Sequence, residues 1–279
     1  MQRSFDMVHL HLSVPKSWNS CRQPIDETLM KQTPVHEQHN PDLLAYIPKD
    51  MKRLVEIGCS SGALAREYKK INANCHYTGI DIMPEYAQQA KRYCDKVMTL
   101  DIETVDVDFL QNALSSECWI FGDSLEHMRD PWALLSKIRQ VIPQNGSIVA
   151  CIPNAQHWTV QARLCSGAFR YEDVGLMDRT HLRWFTRITI MEMFAEAGFQ
   201  VVDGMPRVFE EPERDKAMPL IREMAQLLGT DPDMAANDAM PLQYVVRAVP
   251  VGEMNPPRQW GGMGKLIGSA LLNKLRRSG

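Results

Sequence analysis

Residues 55–68, VEIGCSSGALAREY, carry the most distinctive spacing in the chain. An apolar run ends in Glu56 and Gly58, and a second glycine, Gly62, follows just before a run with helical spacing. Glycine at both positions permits a tight turn and lets a ligand approach the backbone closely. The turn lacks the lysine of a phosphate-binding loop, and Ser60 stands where a pyrophosphate requires a middle glycine. The pattern therefore favours a ligand without a pyrophosphate.

Two further acids follow strand-like runs downstream of this turn. Asp81 ends the run HYTGID, and Asp101 follows KVMTL. In open parallel sheets, an acid at the end of the second strand hydrogen-bonds ribose hydroxyls, and a carboxylate at Asp101 could reach the exocyclic amine of a base. Together, the turn and the two acids predict a nucleoside that lies across the strand ends. Glu56 suits a positively charged group on that ligand, such as an amine.

The motifs EIGCSSG, GID and TLD, in this order and spacing, resemble the cofactor site of class I S-adenosylmethionine-dependent methyltransferases. The resemblance covers residues 41–249 and implies a Rossmann-like α/β fold. Its seven-stranded, mostly parallel sheet would have the order 3-2-1-4-5-7-6, with helices on both faces and the last strand antiparallel. The methionine part would contact the glycine turn, with the ribose at Asp81 and the adenine beside Asp101. The implied cofactor-binding residues are Glu56, Gly58, Cys59, Ser60, Gly62, Asp81, Ile82, Asp101, Ile102, Asp123 and Ser124.

Two later segments resemble a subgroup associated with glycan and small-molecule O-methylation. They are FGDSLEHMRDP at 121–131 and VGLMDRTHLRWFT at 174–186. This resemblance implies methyl transfer to an oxygen of a saccharide or secondary metabolite. Three alternatives stay open: N- or peptide methylation, a non-catalytic subunit that binds the cofactor as a scaffold, and an NAD-dependent oxidoreductase. The last is kept because glycine turns after a first strand also serve NAD enzymes.

Three histidines are candidate general bases: His127, His157 and His181. A hydroxyl acceptor benefits from a base because a neutral alcohol is a poor nucleophile. His127 and His157 follow strand-like runs, and His181 lies in the segment expected to cover the acceptor. Each histidine also has a structural alternative, as a residue that shapes the site, an ordinary loop residue or a support for the covering segment.

The same stretch contains candidate substrate-binding residues. Arg179 and Arg183 are four residues apart, which predicts that they share a helix face and bind a carboxylate or phosphate on the substrate. Salt bridges with nearby acids are the alternative. Trp158 and Trp184 could stack on a sugar or an aromatic acceptor, or pack in the core.

No metal site is predicted from the sequence. His9 and His11 alternate on a strand-like run, and His36 and His39 follow, but they lack a third partner at a defined spacing. No acidic set of the kind that holds magnesium in catechol methyltransferases is recognised. S-adenosylmethionine is therefore the one cofactor that the sequence predicts.

Strand-like and helix-like runs alternate from residue 41, which predicts a parallel sheet covered on both faces. The predicted strands are 53–57, 76–80, 96–100, 118–122, 147–152, 199–202 and 243–249. The predicted helices are one opened by Pro41, 63–70, 84–94, one opened by Pro131, and 186–197. The polar insert 207–240, with one helix at 220–228, and an N-terminal arm, 1–40, are expected to shape the acceptor pocket.

Composition limits the function classes. A net charge of −3 argues against a nucleic-acid partner. The 7 cysteines show no C-x-x-C pair, which suits free thiols in a reducing cytoplasm. No apolar run of about 18 residues is present, and the first residues lack the apolar core of a signal peptide.

The last residues form a segment of their own. Residues 251–279 comprise a Gly/Pro-rich linker and a basic amphipathic run, KLIGSALLNKLRR. A helix of this kind could lie on an anionic membrane surface, or pack on the body of the protein or on a second subunit.

Overall fold

The computed structural model describes residues 37–252. Residues 1–36 and 253–279 lie outside the described residues. Most of the predicted arm and the basic C-terminal run therefore stay predictions. Within 37–252, no helix combines the length and the apolar composition needed to cross a bilayer.

Strands and helices alternate through the described part of the chain. The strands are β1 (Arg53–Ile57), β2 (His76–Asp81), β3 (Lys96–Thr99), β4 (Cys118–Gly122), β5 (Ser147–Pro153), β6 (Phe199–Arg207) and β7 (Gln243–Pro250). The helices are α1 (Pro41–Tyr46), α2 (Ala63–Ile71), α3 (Pro84–Ala90), α4 (Val107–Ala113), α5 (Pro131–Val141), α6 (Trp158–Ser166), α7 (Arg187–Glu196), α8 (Arg214–Leu227) and α9 (Pro232–Ala239). This alternation confirms the predicted α/β class.

The strands form one sheet of order β3-β2-β1-β4-β5-β7-β6. Strands β1 to β5 pair in parallel, whereas β7 runs antiparallel to both β5 and β6. The predicted Rossmann-like sheet is thus confirmed, including its antiparallel last strand. The chain order reverses between β1 and β4, and ligands of open parallel sheets bind at such a point, beyond the carboxyl ends of the strands. We call the carboxyl ends of β1 to β5 the crest.

Apolar side chains cover both faces of the sheet. Val55 and Ile57 lie in the cluster that α4, α5 and α7 complete, whereas Leu54 lies in the cluster completed by α1, α2 and α3. The division follows from the two-residue period of a strand. Because both faces are packed, the strand ends that form the crest are held firmly in place.

Several predicted bounds differ from the structure. Strand β6 continues to Arg207 instead of ending at residue 202. The predicted helix 84–94 ends at Ala90, although Tyr93 N and Cys94 N still donate to Ala90 O and Cys94 stays buried. Helices α4 and α6 are additional to those predicted.

The insert between β6 and β7 contains two helices where the sequence predicts one. Helix α8 begins at Arg214 instead of Leu220, and α9 follows it. The Asp231 side chain accepts hydrogen bonds from Asp233 N (2.9 Å) and Met234 N (3.1 Å) at the start of α9. An aspartate followed by proline is a strong helix start, so the signal for α9 was present in the sequence.

Candidate active site

The glycine turn after β1 has the geometry that its sequence predicts. Gly58 and Gly62 both have left-handed backbone conformations, with φ of +75° and +78°. A Cβ atom at Gly58 would lie 3.2 Å from Ser124 Cβ, and one at Gly62 would lie 3.0 Å from Ala90 Cα. Both positions therefore require glycine, for conformation and for space. Gly58 N also donates to Ile80 O at 2.8 Å, which fixes the turn against β2.

Asp81 connects the glycine turn to the end of β2. One carboxylate oxygen accepts from Ser60 N at 2.8 Å and the other from Met83 N at 2.9 Å. The side chain is largely buried, and burial raises its pKa. Because each carboxylate oxygen has a second lone pair, Asp81 can accept ribose hydroxyls while it holds the turn. Its ribose role stays a prediction.

Glu56 lies beneath the turn, in the interior of the protein. Its Oε2 accepts a hydrogen bond from Tyr77 Oη at 2.9 Å, and burial raises its pKa to about 8. Tyr77 belongs to the apolar cluster on the α2 face, which is the face that Glu56 shares with Leu54 because strand side chains alternate. The Glu56 side chain is therefore largely enclosed by protein, and the hypothesis that it meets a charged group of the ligand stays a prediction.

The residues after β2 and β3 differ in exposure. Ile82 is 53% exposed at the crest, where an apolar surface can contact a flat base. Asp101 is partly exposed; it accepts from Glu103 N at 3.0 Å and pairs with Arg129 Nη2 at 2.5 Å. Ile102 is buried in the core, so only its backbone can contact a ligand. Cys59 is also buried.

The segment after β4 reaches the glycine turn from the other side. Asp123 has a left-handed backbone with φ of +53°, and its side chain accepts a hydrogen bond from Gln243. Ser124 is buried, and its Oγ has no hydrogen-bond partner among the described residues. Since Ser124 abuts Gly58, this unpaired hydroxyl lies at the turn that the ligand would contact.

Glu126 and His127 follow shortly after Ser124 in the sequence, and the fold brings His181 close to both of them. We call these three residues the histidine–glutamate cluster. Glu126 is 1% exposed, and neither of its carboxylate oxygens has a hydrogen-bond partner within residues 37–252. Burial and the neighbouring Asp123 raise its pKa well above the ordinary value. His181 Nε2 lies 4.0 Å from Glu126 Oε1, which is too far for a hydrogen bond.

The two imidazoles of the cluster are held through their Nδ1 atoms. His127 Nδ1 lies 3.2 Å from Thr180 O and 3.0 Å from Thr180 Oγ1, whose own hydrogen goes to Asp178 Oδ1. His181 Nδ1 lies 3.2 Å from Leu176 O. Since a carbonyl oxygen only accepts, each Nδ1 carries the proton and each Nε2 has a free lone pair. Burial lowers the pKa of His127, and burial together with His127 lowers the pKa of His181 to about 4. Both rings are therefore neutral near pH 7.

Residues 34–203 match the model of a family described as a methyltransferase domain. This match covers more than half of the chain, and the sheet order and the glycine turn agree with it. The chain belongs to this methyltransferase family. Its methyl donor is S-adenosylmethionine.

Solved structures of methyltransferases share the fold. An S-adenosylmethionine-dependent methyltransferase of Archaeoglobus fulgidus aligns with a TM-score of 0.51 at 19% identity over 74% of this chain and 90% of that chain. One of Thermotoga maritima has a TM-score of 0.51 at 15% identity, with 75% and 86% covered. An O-methyltransferase from a trans-AT PKS multienzyme of Brevibacillus brevis, in complex with S-adenosyl-L-homocysteine, has a TM-score of 0.51 at 9% identity, with 76% and 71% covered. No curated protein sequence matches this chain.

The crest of this methyltransferase fits the donor. The open Gly58 backbone and the unpaired Ser124 hydroxyl lie together at the turn, where polar groups of the methionine part can bind. Ile82 offers an exposed apolar surface, and Asp101 lies at the adjoining strand end. These features suit a ligand with a polar end, a ribose and a flat base.

His157 is placed differently from the other two histidines. It caps helix α6, its Nδ1 lies 2.8 Å from Thr159 Oγ1, and its Nε2 lies 3.4 Å from Glu211 Oε2. Trp158 Nε1 donates to the same Glu211 carboxylate. Both side chains therefore fix the insert after β6 to the start of α6, which favours structural roles for His157 and Trp158.

Arg179 and Arg183 do not share a helix face. Residues 173–186 contain bends and turns but no helix: Asp178 Oδ1 accepts from Thr180 N at 2.8 Å and from Thr180 Oγ1 at 2.6 Å. Arg179 Nη2 pairs with Asp173 at 2.7 Å, and the Arg183 guanidinium donates to Arg129 O. The predicted shared helix face is wrong, because the aspartate side chain competes for backbone groups that a helix would use. Binding of a substrate anion by the two arginines stays a prediction.

Trp184 belongs to an exposed group of aromatic rings beside His181. Its ring centroid lies 5.7 Å from that of Phe169 and 6.1 Å from that of His181, and Phe169 lies 6.3 Å from Tyr171. We call Phe169, Tyr171 and Trp184 the aromatic surface. All three rings are exposed, so this surface leads from solvent to the histidine–glutamate cluster.

Two residues of the site escaped the sequence analysis as site residues. Arg129 contacts both Asp101 (2.5 Å) and Glu103 (3.2 Å), so it offsets the negative charge beside the end of β3. Glu126 is not among the predicted site residues, but its carboxylate lies close to both imidazoles and has no hydrogen-bond partner within residues 37–252. Sequence spacing placed Glu126 and His127 together, but gave no sign that His181 joins them.

Proposed function

We propose that this methyltransferase transfers a methyl group to an oxygen of a saccharide or a secondary metabolite. The observation that carries the proposal is the histidine–glutamate cluster, two residues beyond the Ser124 that abuts the glycine turn. An alcohol must lose its proton as it attacks, and the cluster holds two neutral imidazoles with free Nε2 lone pairs. A typical amine acceptor is already a good nucleophile once neutral, and has less need of such groups.

The residues have distinct roles in this proposal. Bound S-adenosylmethionine supplies an activated methyl group for in-line displacement. The glycine turn and Asp81 hold the donor, and the aromatic surface binds a flat sugar or ring by stacking. His181 lies between that surface and Glu126, so it is the favoured acceptor of the hydroxyl proton. The enclosed position of the cluster keeps water from competing with the acceptor.

The prediction that the acceptor has a carboxylate or phosphate has less support. Arg179 is paired with Asp173, and Arg183 donates to a backbone carbonyl. Each guanidinium therefore already has a partner within the protein. We also propose a cytoplasmic location, because the cysteines of the described residues are free thiols. We also propose, from the net charge alone, that the protein has no nucleic-acid partner. A contact of the basic C-terminal run with a membrane surface or a second subunit stays a proposal from its composition.

Matched acceptors test the function. The full-length protein is incubated with S-adenosylmethionine and pairs of glycosides or phenols that differ by one hydroxyl, one amine or one methoxy group. Mass spectrometry measures S-adenosylhomocysteine formation and locates the methyl group. We expect turnover only where a free hydroxyl is present. Methyl groups on nitrogen would contradict the proposal, and S-adenosylhomocysteine binding without any turnover would support a scaffold subunit instead.

A further inference from the structure

The Glu126 carboxylate is the least satisfied polar group of the site. It is almost fully buried, and both of its oxygens are unpaired among the described residues. Burying a polar or charged group without a partner costs several kcal/mol in general. A hydrogen bond to His181, whose Nε2 lies 4.0 Å from Glu126 Oε1, would satisfy only one of the two oxygens. The position is better explained by a cation that binds between them.

The two imidazoles lie beside each other, with ring centroids 4.8 Å apart. Backbone carbonyls of Thr180 and Leu176 hold the Nδ1 atoms, which leaves Nε2 of His127 and of His181 as lone-pair donors. Histidines that bind metals almost always donate their other N–H to a carbonyl or carboxylate in this way, which fixes the tautomer and the ring. The cluster therefore shows the second layer of contacts that metal sites have.

The distances are compatible with one ion. One ligand atom from each of the three residues lies within 4.8 Å of the other two. Around an ion with bonds of about 2.1 Å, adjacent ligand atoms are about 3 Å apart, so binding requires a contraction of roughly 1–2 Å. Small side-chain rotations can supply this contraction, because hydrogen bonds already hold the two backbone segments together. Leu182 N and Arg183 N donate to Glu126 O at 2.8 and 2.9 Å.

The donor set selects the class of ion. Imidazoles suit zinc, iron, cobalt, nickel and copper, whereas magnesium and calcium prefer oxygen ligands alone. Two imidazoles and one carboxylate leave coordination positions open for water or substrate. We propose that Glu126, His127 and His181 bind one divalent transition-metal cation with open positions toward the acceptor.

This inference deepens the proposed function and rests on it only for the role of the ion. A bound cation lowers the pKa of a coordinated hydroxyl. His181 would then act as a ligand, and the acidified hydroxyl would lose its proton to a water molecule in another open coordination position. Cation binding itself is independent of the acceptor, so it can be tested whether or not O-methylation is correct.

The test is a titration of the chelator-treated full-length protein with Co²⁺, followed by visible absorption and calorimetry. We expect one ion per chain, with weak d–d bands and without the intense near-ultraviolet band of thiolate ligation. Glu126→Gln and His181→Gln should each weaken binding more than about tenfold. Mg²⁺ should not compete at the same concentration.

Controls separate this site from other histidines and from unfolding. His76→Gln changes an exposed histidine at the start of β2 and should leave Co²⁺ affinity unchanged. His9→Gln combined with His11→Gln tests the N-terminal pair that sequence spacing raised. Glu126→Gln should retain S-adenosylhomocysteine affinity and, without metal, the thermal stability of the parent protein. A lower stability would show that Glu126 has a structural partner, and would overturn the proposal.

Two further results would also overturn it. One is the absence of Co²⁺ binding, and the other is binding that the N-terminal double variant abolishes while the cluster variants retain it. Turnover then decides the role: if the chelator-treated protein is inactive until Co²⁺ or Zn²⁺ is added, the ion takes part in the reaction. Full turnover without metal would leave O-methylation intact and remove the catalytic role of the ion.

Discussion

The two ends of the site differ in how their polar groups are satisfied. At the donor end, both Asp81 oxygens accept backbone N–H groups, and Asp101 is paired with Arg129. At the acceptor end, the Glu126 carboxylate has no hydrogen-bond partner within residues 37–252. Apart from the Ser124 hydroxyl, which has no hydrogen-bond partner among the described residues, the donor end is thus formed and stabilised before any ligand binds. The acceptor end holds uncommitted groups that can act on a proton or an ion.

The largest expected effect lies at the acceptor end. His181→Gln removes the imidazole beside Glu126 and the aromatic surface, so turnover should fall roughly 10²–10⁴-fold. S-adenosylhomocysteine affinity, measured by calorimetry, should stay within about twofold because the donor end is untouched. His76→Gln, an exposed histidine, is the control and should retain full turnover. Equal losses of turnover and affinity would mean that His181 only supports the fold.

The second effect tests the rigidity of the donor end. Gly62→Ala combines a left-handed backbone with a contact of 3.0 Å to Ala90 Cα, so the free energy of unfolding should fall by about 2–4 kcal/mol. Gly167→Ala is a matched control, since Gly167 has a φ of +70° and open space around it. Its cost should be about 1 kcal/mol. Urea denaturation measures both, and similar costs would show that close packing at Gly62 is unimportant.

The third expected effect concerns Glu56, the buried acid beneath the glycine turn. Burial raises the Glu56 pKa to about 8 in the folded protein, above the ordinary 4.5 of the unfolded chain. The folded state therefore keeps a proton that the unfolded state has lost, so stability falls as the pH rises through this interval.

Glu56→Gln should remove the part of this pH-dependent loss of stability that Glu56 causes. Between pH 5 and pH 8, the variant should lose roughly 2–4 kcal/mol less stability than the parent protein. The Glu223→Gln control replaces an exposed glutamate of α8 and should retain the parental pH dependence. An unchanged pH dependence in Glu56→Gln would mean that Glu56 is ionised in the folded protein.

The smallest effect concerns donor affinity. Asp81→Ala should weaken S-adenosylmethionine binding by at least about 1.5 kcal/mol, because a charged acceptor for the ribose and for Ser60 N is lost. Asp108→Ala, an exposed position in α4, should bind like the parent protein. Calorimetry measures both affinities, and an unchanged value for Asp81→Ala would count against the ribose role.

Features encoded locally could be read from the sequence. The bounds of the strands follow from short apolar runs. The glycine turn follows from Gly58 and Gly62, because glycine readily adopts the positive φ that both positions have. The donor end depends on such local signals, so the fold and the family could be predicted. Helix α4 also had a readable start, because Asp106 caps it by accepting from Phe109 N.

Features made by tertiary packing could not be read in this way. His181 follows Glu126 by more than fifty residues in the sequence, and they meet because backbone bonds join residues 126 and 182. The burial of Glu56 depends on which strand face α2 covers. The Arg179 and Arg183 helix was wrong for a local reason, since the Asp178 side chain forms a turn with Thr180.

The most direct measurement is a crystal structure of the full-length protein grown with excess S-adenosylhomocysteine. We expect the ligand over the crest, with its amino-acid part at Gly58 and Ser124, its ribose at Asp81 and its adenine between Ile82 and Asp101. A ligand bound at another place, or a crest left empty at saturating concentration, would contradict this expectation.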